Sequence, residues 1–193
     1  MRLRISSLSL VMGVAAVCAC TGPLNNQQGY APEQPIAYSH ALHAGLYEMD
    51  CQYCHFGAEK SRHAGVPPSS VCMNCHSQVR MDSAEIQKLA NYIEENKPIP
   101  WVRVHRLPDH AFFDHSSHVV AGGLICQECH GPVETMVRLQ QQETMAMGWC
   151  LDCHRKTVQE QKKAPVPLAW MAPGLEFKSR ELNPPTDCSA CHR

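Results

Sequence analysis

The fold class predicted from the amino-acid sequence is a mostly irregular chain whose few short α-helices pack around prosthetic groups. Three observations predict it. Ten of the 12 Cys fall into five Cys-x-x-Cys-His units, the chain repeats itself at a fixed offset, and aromatic residues make up only 6% of 193 residues. With few long apolar runs, the polypeptide lacks the material for a core of its own.

The five units are Cys51-Gln52-Tyr53-Cys54-His55, Cys72-Met73-Asn74-Cys75-His76, Cys126-Gln127-Glu128-Cys129-His130, Cys150-Leu151-Asp152-Cys153-His154 and Cys188-Ser189-Ala190-Cys191-His192. Chance would supply about 0.05 of one such unit in this composition. The spacing has a chemical reason. Two thiols add to the two vinyl groups of one haem, and the adjacent imidazole becomes the proximal iron ligand. Structural zinc joins two Cys pairs and needs no His after each. A thioredoxin-like pair would occur once, in a βαβ context that is not visible here. Disulfides suit an exported chain but do not call for the His either. The units therefore predict a multihaem cytochrome c with five covalently attached haem c. About 170 mature residues shared among five haems is roughly 35 per haem, so haem forms most of the core and binding is coupled to folding.

The repeat organises the chain. Tyr38-Ser39-His40-Ala41-Leu42-His43 returns 75 residues later as Phe113-Asp114-His115-Ser116-Ser117-His118. In each copy the second His lies eight residues before a haem-binding Cys, at Cys51 and Cys126, and a second unit follows. Matched internal spacing at one offset argues for two related modules. The predicted organisation is residues 1–20 as signal or membrane anchor, 21–35 as flexible tether and 36–80 as the first dihaem module. Residues 81–100 form a linker helix, 101–163 the second dihaem module and 164–193 a Pro-rich strap with the fifth haem.

Between the modules, Ile86, Leu89, Ala90 and Ile93 make an apolar stripe at helical spacing, with Asp82 as expected cap and Glu85 as its capping-box partner. Lys97-Pro98-Ile99-Pro100 ends that helix. A second helix is expected over 132–147. Pro165, Pro167, Pro173, Pro184 and Pro185 make 164–187 an extended strap.

The N-terminus carries Arg2 and Arg4, then an apolar run from Ile5 to Val17, which reads as an export signal. Val17-Cys18-Ala19-Cys20 is similar to a lipobox, with Cys20 as the lipidated residue, although Cys18 departs from the usual small or hydroxyl residue. A transmembrane anchor is the alternative, since no charge occurs between Arg4 and Glu33. Either reading places the haems at the periplasmic face of a bacterial inner membrane. Net charge is −1, which excludes a broad basic field for nucleic acid.

Beyond the proximal His55, His76, His130, His154 and His192, seven His remain. His40, His43, His115 and His118 are expected as distal ligands. His105 is the expected fifth, with His63, His110 or a Met such as Met145 or Met147 left open. Five closed irons would make this an electron-transfer protein with no catalytic residues of its own.

The aromatic-x-His-x-x-His lead before each haem pair resembles class III cytochromes of the c3 and c7 type, so the modules look c7-like. The stretches Pro100-Trp101-Val102-Arg103-Val104-His105, Leu107-Pro108-Asp109, Phe113-Asp114-His115-Ser116-Ser117-His118, Cys129-His130-Gly131-Pro132-Val133-Glu134 and Met147-Gly148-Trp149-Cys150 resemble the pentahaem cytochrome subunit of alternative complex III. The resemblance implies a subunit of a quinol-oxidising membrane complex. Its expected partners are an iron–sulfur subunit, a monohaem cytochrome, and a downstream cytochrome, copper protein or oxidase. It also implies that His40 and His115 serve the unit following each, while His43 and His118 reach neighbouring haems. The alternative is an independent periplasmic shuttle for a molybdenum or sulfur-compound oxidoreductase.

Overall fold

The computed structural model describes residues 27–161 and 183–192. The expected signal segment with Cys20, residues 21–26 of the tether and most of the Pro-rich strap lie outside these residues. Among the described residues there is no strand, only an isolated antiparallel bridge between Ala111 and His192. No helix among them is long and apolar enough to cross a membrane.

Among the described residues six α-helices appear in order: α1 (Cys51–Cys54), α2 (Ser69–His76), α3 (Ala84–Glu94), α4 (Gln127–His130), α5 (Met147–Gln161) and α6 (Cys188–Cys191). Five of the six carry or adjoin a Cys-x-x-Cys-His unit. A helical turn is what the chemistry needs, because residues three apart lie on one face and present both thiols to the same ring. Two of these short helices are started by the residue just ahead of the first Cys. The Asp50 carboxylate accepts from Gln52 N–H, and the Asp187 carboxylate accepts from Ala190 N–H.

The linker helix α3 forms where the stripe predicts, but its beginning differs. Ser83, not Asp82, is the capping position, and Glu85 turns outward to accept from Ala37 N–H at 2.7 Å and from Lys88 Nζ at 2.6 Å. A long-range backbone donor has outcompeted the local capping box. The end is a Schellman motif: Asn96 adopts φ 50°, Asn96 N–H donates to Ile93 O and Lys97 N–H to Tyr92 O. Of the stripe, Leu89 is buried, at 3% exposure, while Ile93 stays 42% exposed. Leu89→Ala should therefore destabilise the holoprotein by about 2–5 kcal/mol, read from denaturant unfolding, whereas Ile93→Ala should cost far less.

The helix expected over 132–147 does not form. Gly131 turns the chain at φ 71°, a single 3-10 turn covers Val133–Thr135, and the Gln-rich stretch after it runs irregularly. Its backbone is spoken for elsewhere: Gly29 N–H donates to Gln141 O and Gln141 N–H to Tyr30 O. Segment 27–34 thus takes the hydrogen bonds that a helix would have closed on itself, and Gln141 is fully buried there.

The two copies pack on each other through their leads. The π-helical turn Ala41–Leu46 lies against the 3-10 turn, with Ala41 N–H donating to Met136 O and Gly45 directly under the Glu134 carbonyl, where no Cβ fits. On the other side, His115 N–H and Ser116 N–H donate to Arg62 O and Ser61 O, and the Arg62 guanidinium covers the Phe112 ring at 4.2 Å. The buried apolar side chains among the described residues are Ile36, Ala58, Leu89, Val104 and Met136. Leu46, Tyr47, Ile125, Val137 and Met147 are all more than 60% exposed. So small an interior, beside so much exposed apolar surface, leaves the fold short of burial unless a large apolar group fills the gaps.

Candidate functional site

The ten Cys of the five units are all free thiols, so no disulfide competes for them. Burial pushes Cys126 and Cys129 up to about 11, with the Cys51 thiol and the Cys153 thiol, respectively, adding to the effect. Burial raises Cys54, Cys72 and Cys150 as well. These thiols hold their protons, the opposite of a low-pKa redox pair. Nor do they converge as zinc ligands: among the described residues no three His, Cys, Asp or Glu side chains come together in a way that would hold a bare ion.

The imidazoles show what the pairs are for. In His55, His76, His154 and His192, Nδ1 lies 2.6, 2.9, 2.6 and 3.3 Å from the carbonyls of Gly65, Val79, Pro185 and His110. In His43, His115 and His118 it lies 2.9, 2.8 and 2.7 Å from those of Ser39, Arg62 and Asp114. A carbonyl only accepts, so each Nδ1 carries the proton and each Nε2 keeps its lone pair for a metal. Two further ring nitrogens, His40 Nδ1 and His105 Nε2, are buried with no hydrogen-bond partner among the described residues. Burial lowers His40 and His105 to about 4 and His130 to about 3, and lowers His118 too, so all four rings are neutral at neutral pH.

The rings are spaced as axial pairs. Two imidazoles on opposite sides of one metal, each about 2 Å from it, have centres roughly 6 Å apart. His43 faces His76 at 6.1 Å, His115 faces His130 at 6.4 Å and His118 faces His154 at 6.0 Å. The interplanar angles differ, at 66°, 2° and 32°. Among the titratable side chains around it, His55 acts most strongly on His40. His105 stands edge-on to His130 at 4.4 Å, too close for a metal between them. His110 lies 5.3 Å from His192. His63 belongs to the loop that the Gly57 N–H bond to Ala64 O closes.

The repeated aromatic has a role that its position alone did not give. Tyr38 meets His40 edge-on at 4.9 Å and stacks on His43 at 4.5 Å; Phe113 meets His115 edge-on at 4.9 Å and stacks on His118 at 4.4 Å. One ring orients both imidazoles of its module. The signal was present in the duplication, as an aromatic two residues ahead of the first His in both copies.

Thiol neighbours give the spatial order of the units. Cys54 adjoins Cys72, Cys51 adjoins Cys126, Cys129 adjoins Cys153 and Cys150, and Cys150 adjoins Cys191. The Asn74 amide also donates to Tyr53 OH at 3.0 Å, joining the second unit to the first. The sequence is second, first, third, fourth, fifth, with the first–third contact bridging the modules.

Thiol pairs on helical turns, spaced imidazole pairs, orphaned buried nitrogens and unfilled apolar surface all fit haem. An acid test follows from the buried rings. Their folded pKa values lie below the ordinary His value of 6.5, so the unfolded chain takes up protons first and stability falls as pH drops from about 6.5 towards 4. Metal ligation acts in the same direction, since proton and iron compete for one lone pair. The denaturation midpoint of the holoprotein should be clearly lower at pH 4.5 than at pH 7.

Residues 111–193 match the family described as cytochrome c7 and related cytochrome c. The multihaem cytochrome c subunit of menaquinone reductase from Nitratidesulfovibrio vulgaris is 36% identical over 99 residues, covering 51% of this chain. The chain spans 46% of the length of that relative. The fold is therefore a cytochrome c7-like multihaem fold, mostly irregular with short helices, and covalently bound haem c is its cofactor.

Proposed function

We propose that this chain holds five haem c and serves as the electron-transfer subunit of a membrane quinol:acceptor oxidoreductase of the alternative complex III type, exported and attached at the periplasmic face through lipidated Cys20 or an N-terminal anchor. The observation that carries the electron-transfer reading is the set of imidazole pairs at 6.0–6.4 Å with Nδ1 fixed on backbone carbonyls. Bound there, haem supplies a one-electron couple, and two imidazoles per iron leave no position for a substrate.

The residues divide the work as follows. Cys51, Cys54, Cys72, Cys75, Cys126, Cys129, Cys150, Cys153, Cys188 and Cys191 attach the groups. His55, His76, His130, His154 and His192 ligate from the proximal side. His43, His115 and His118 answer His76, His130 and His154, and His40 answers His55. His43 and His118 thereby each reach past the unit that follows them to the next, which binds each module into one body.

The relative's description as part of a menaquinone reductase favours a second reading in which electrons run the other way, from a periplasmic donor to quinone. Extraction of a tagged copy from native membranes in mild detergent, with mass spectrometry of co-purifying proteins, tests both. Multi-span subunits together with an iron–sulfur subunit support a quinone-linked complex, and mixing that preparation with quinol or reduced donor reads the direction. Recovery alone, or with a molybdenum or sulfur-compound oxidoreductase, overturns the assignment.

A further inference from the structure

Residues 57–65 follow closely on His55 of the first unit, and their main chain holds two imidazoles from different modules. We propose that this loop is a shared positioning element, setting the ligand strength of His55 at the first haem and of His115 at the third together. The proposal deepens the five-haem electron-transfer reading above and rests on it.

Two carbonyls three residues apart carry the geometry. Gly65 O accepts from His55 Nδ1–H at 2.6 Å, and Arg62 O accepts from His115 Nδ1–H at 2.8 Å. Arg62 O also takes His115 N–H at 3.3 Å, and Ser61 O takes Ser116 N–H at 3.2 Å, so the loop grips the second lead by backbone as well as by ring. The Arg62 guanidinium, 4.2 Å over the Phe112 ring, adds a cation–π contact to the clasp. The loop is braced internally. Gly57 N–H donates to Ala64 O at 3.2 Å, Ser61 N–H to Gly57 O at 2.9 Å and Ser61 Oγ–H to His63 O at 2.7 Å. A Cβ on Gly57 would meet the His63 and Ala64 carbonyls at 2.5 and 2.7 Å, so the closed loop needs glycine there. A displacement at Gly65 is therefore passed on to Arg62.

The duplication shows that the grip on the ring is particular to one module. Moved by 75 residues, the bond from Ser116 N–H to Ser61 O becomes that from Ala41 N–H to Met136 O, which also forms. Each module thus lays a segment on the other's lead. The ring contact does not recur: His40, the counterpart of His115, keeps a buried Nδ1 with no hydrogen-bond partner among the described residues. A carbonyl on Nδ1–H makes an imidazole the stronger donor and favours ferric iron, so weakening either bond raises the potential of the iron concerned.

The test uses the full-length holoprotein in a redox titration followed by electron paramagnetic resonance, with mass spectrometry for the haem count. The third haem's signal is the one lost in His115→Ala, and the first haem's is the one missing from Cys51→Ala with Cys54→Ala. Gly57→Ala should keep the wild-type haem mass and raise both of these midpoints, leaving the other three in place. Arg62→Ala should raise the same two, and Arg62→Lys, which keeps a cation over Phe112, should restore them; this pair decides the matter if Gly57→Ala misfolds. Leu89→Ala is the control, and should lower the denaturation midpoint without moving any potential. A shift at one of the two haems alone, or at neither, in a variant of full haem mass overturns the shared loop. A wild-type mass short of five haems overturns the five-haem reading itself, and the proposal with it.

Discussion

Cys126→Ala combined with Cys129→Ala should remove one haem and cut the chain of units in two. Among the described residues the third unit joins the modules through its thiols: Cys126 lies beside Cys51 on one side and Cys129 near Cys153 on the other. With it gone, the second and first units remain adjacent to each other, and the fourth and fifth to each other, and the thiol contacts that joined the two sets are lost. In rapid mixing with a reductant that enters at one end, two haems should reduce at the wild-type rate and two should lag by orders of magnitude. Packing suffers as well, since His130 is among the most buried of the imidazoles and its haem fills space that side chains do not. The control is Cys72→Ala with Cys75→Ala, which removes a terminal unit. It should lose one haem while the remaining four stay connected. Uniform reduction of all four haems in the Cys126/Cys129 variant would refute the spatial order.

His115→Ala should keep every haem attached, because attachment needs the thiols, yet change one iron. Its partner His130 lies 6.4 Å away and only 2° from parallel. Parallel axial imidazoles give an ordinary rhombic low-spin resonance, whereas strongly crossed ones, such as His43 and His76 at 66°, give a highly anisotropic signal. The variant should thus lose a rhombic signal, keep the anisotropic one and gain a high-spin species. Its midpoint should rise by something on the order of 0.1 V, a modest part of the ~0.8 V that axial ligands command. His115 also joins the modules through Arg62 O, so the denaturation midpoint should fall too. Loss of the anisotropic signal instead would show that His115 serves another iron.

Much of the candidate site was legible because the chain says it twice. The 75-residue offset singles out His40, His43, His115 and His118, and the stripe around Leu89 marks the linker helix. Where nothing is repeated, the sequence is silent. Counted back or forward by 75, His63 aligns with Arg138, His105 with Tyr30 and His110 with Pro35, so the duplication favours none of the three. Choosing among them takes the placement of the tail, which rests on a bridge between residues 81 apart, from Ala111 to His192. The helix that failed to form over 132–147 has the same origin. Its local pattern is helical enough, but Tyr30 and Gly29 claim Gln141 from more than 100 residues away.

The acceptors that hold the imidazole protons share one property: each is a main-chain carbonyl, of Gly65, Val79, Pro185, Ser39, Arg62, Asp114 or His110. Point substitution replaces side chains and leaves such carbonyls where the backbone put them. The tautomer and orientation of these imidazoles are therefore insulated from point substitution, in a way that a carboxylate partner would not make them. What substitution can reach is the stacking rings, Tyr38 and Phe113, which differ between the two halves by a single hydroxyl and leave the carbonyl framework in place.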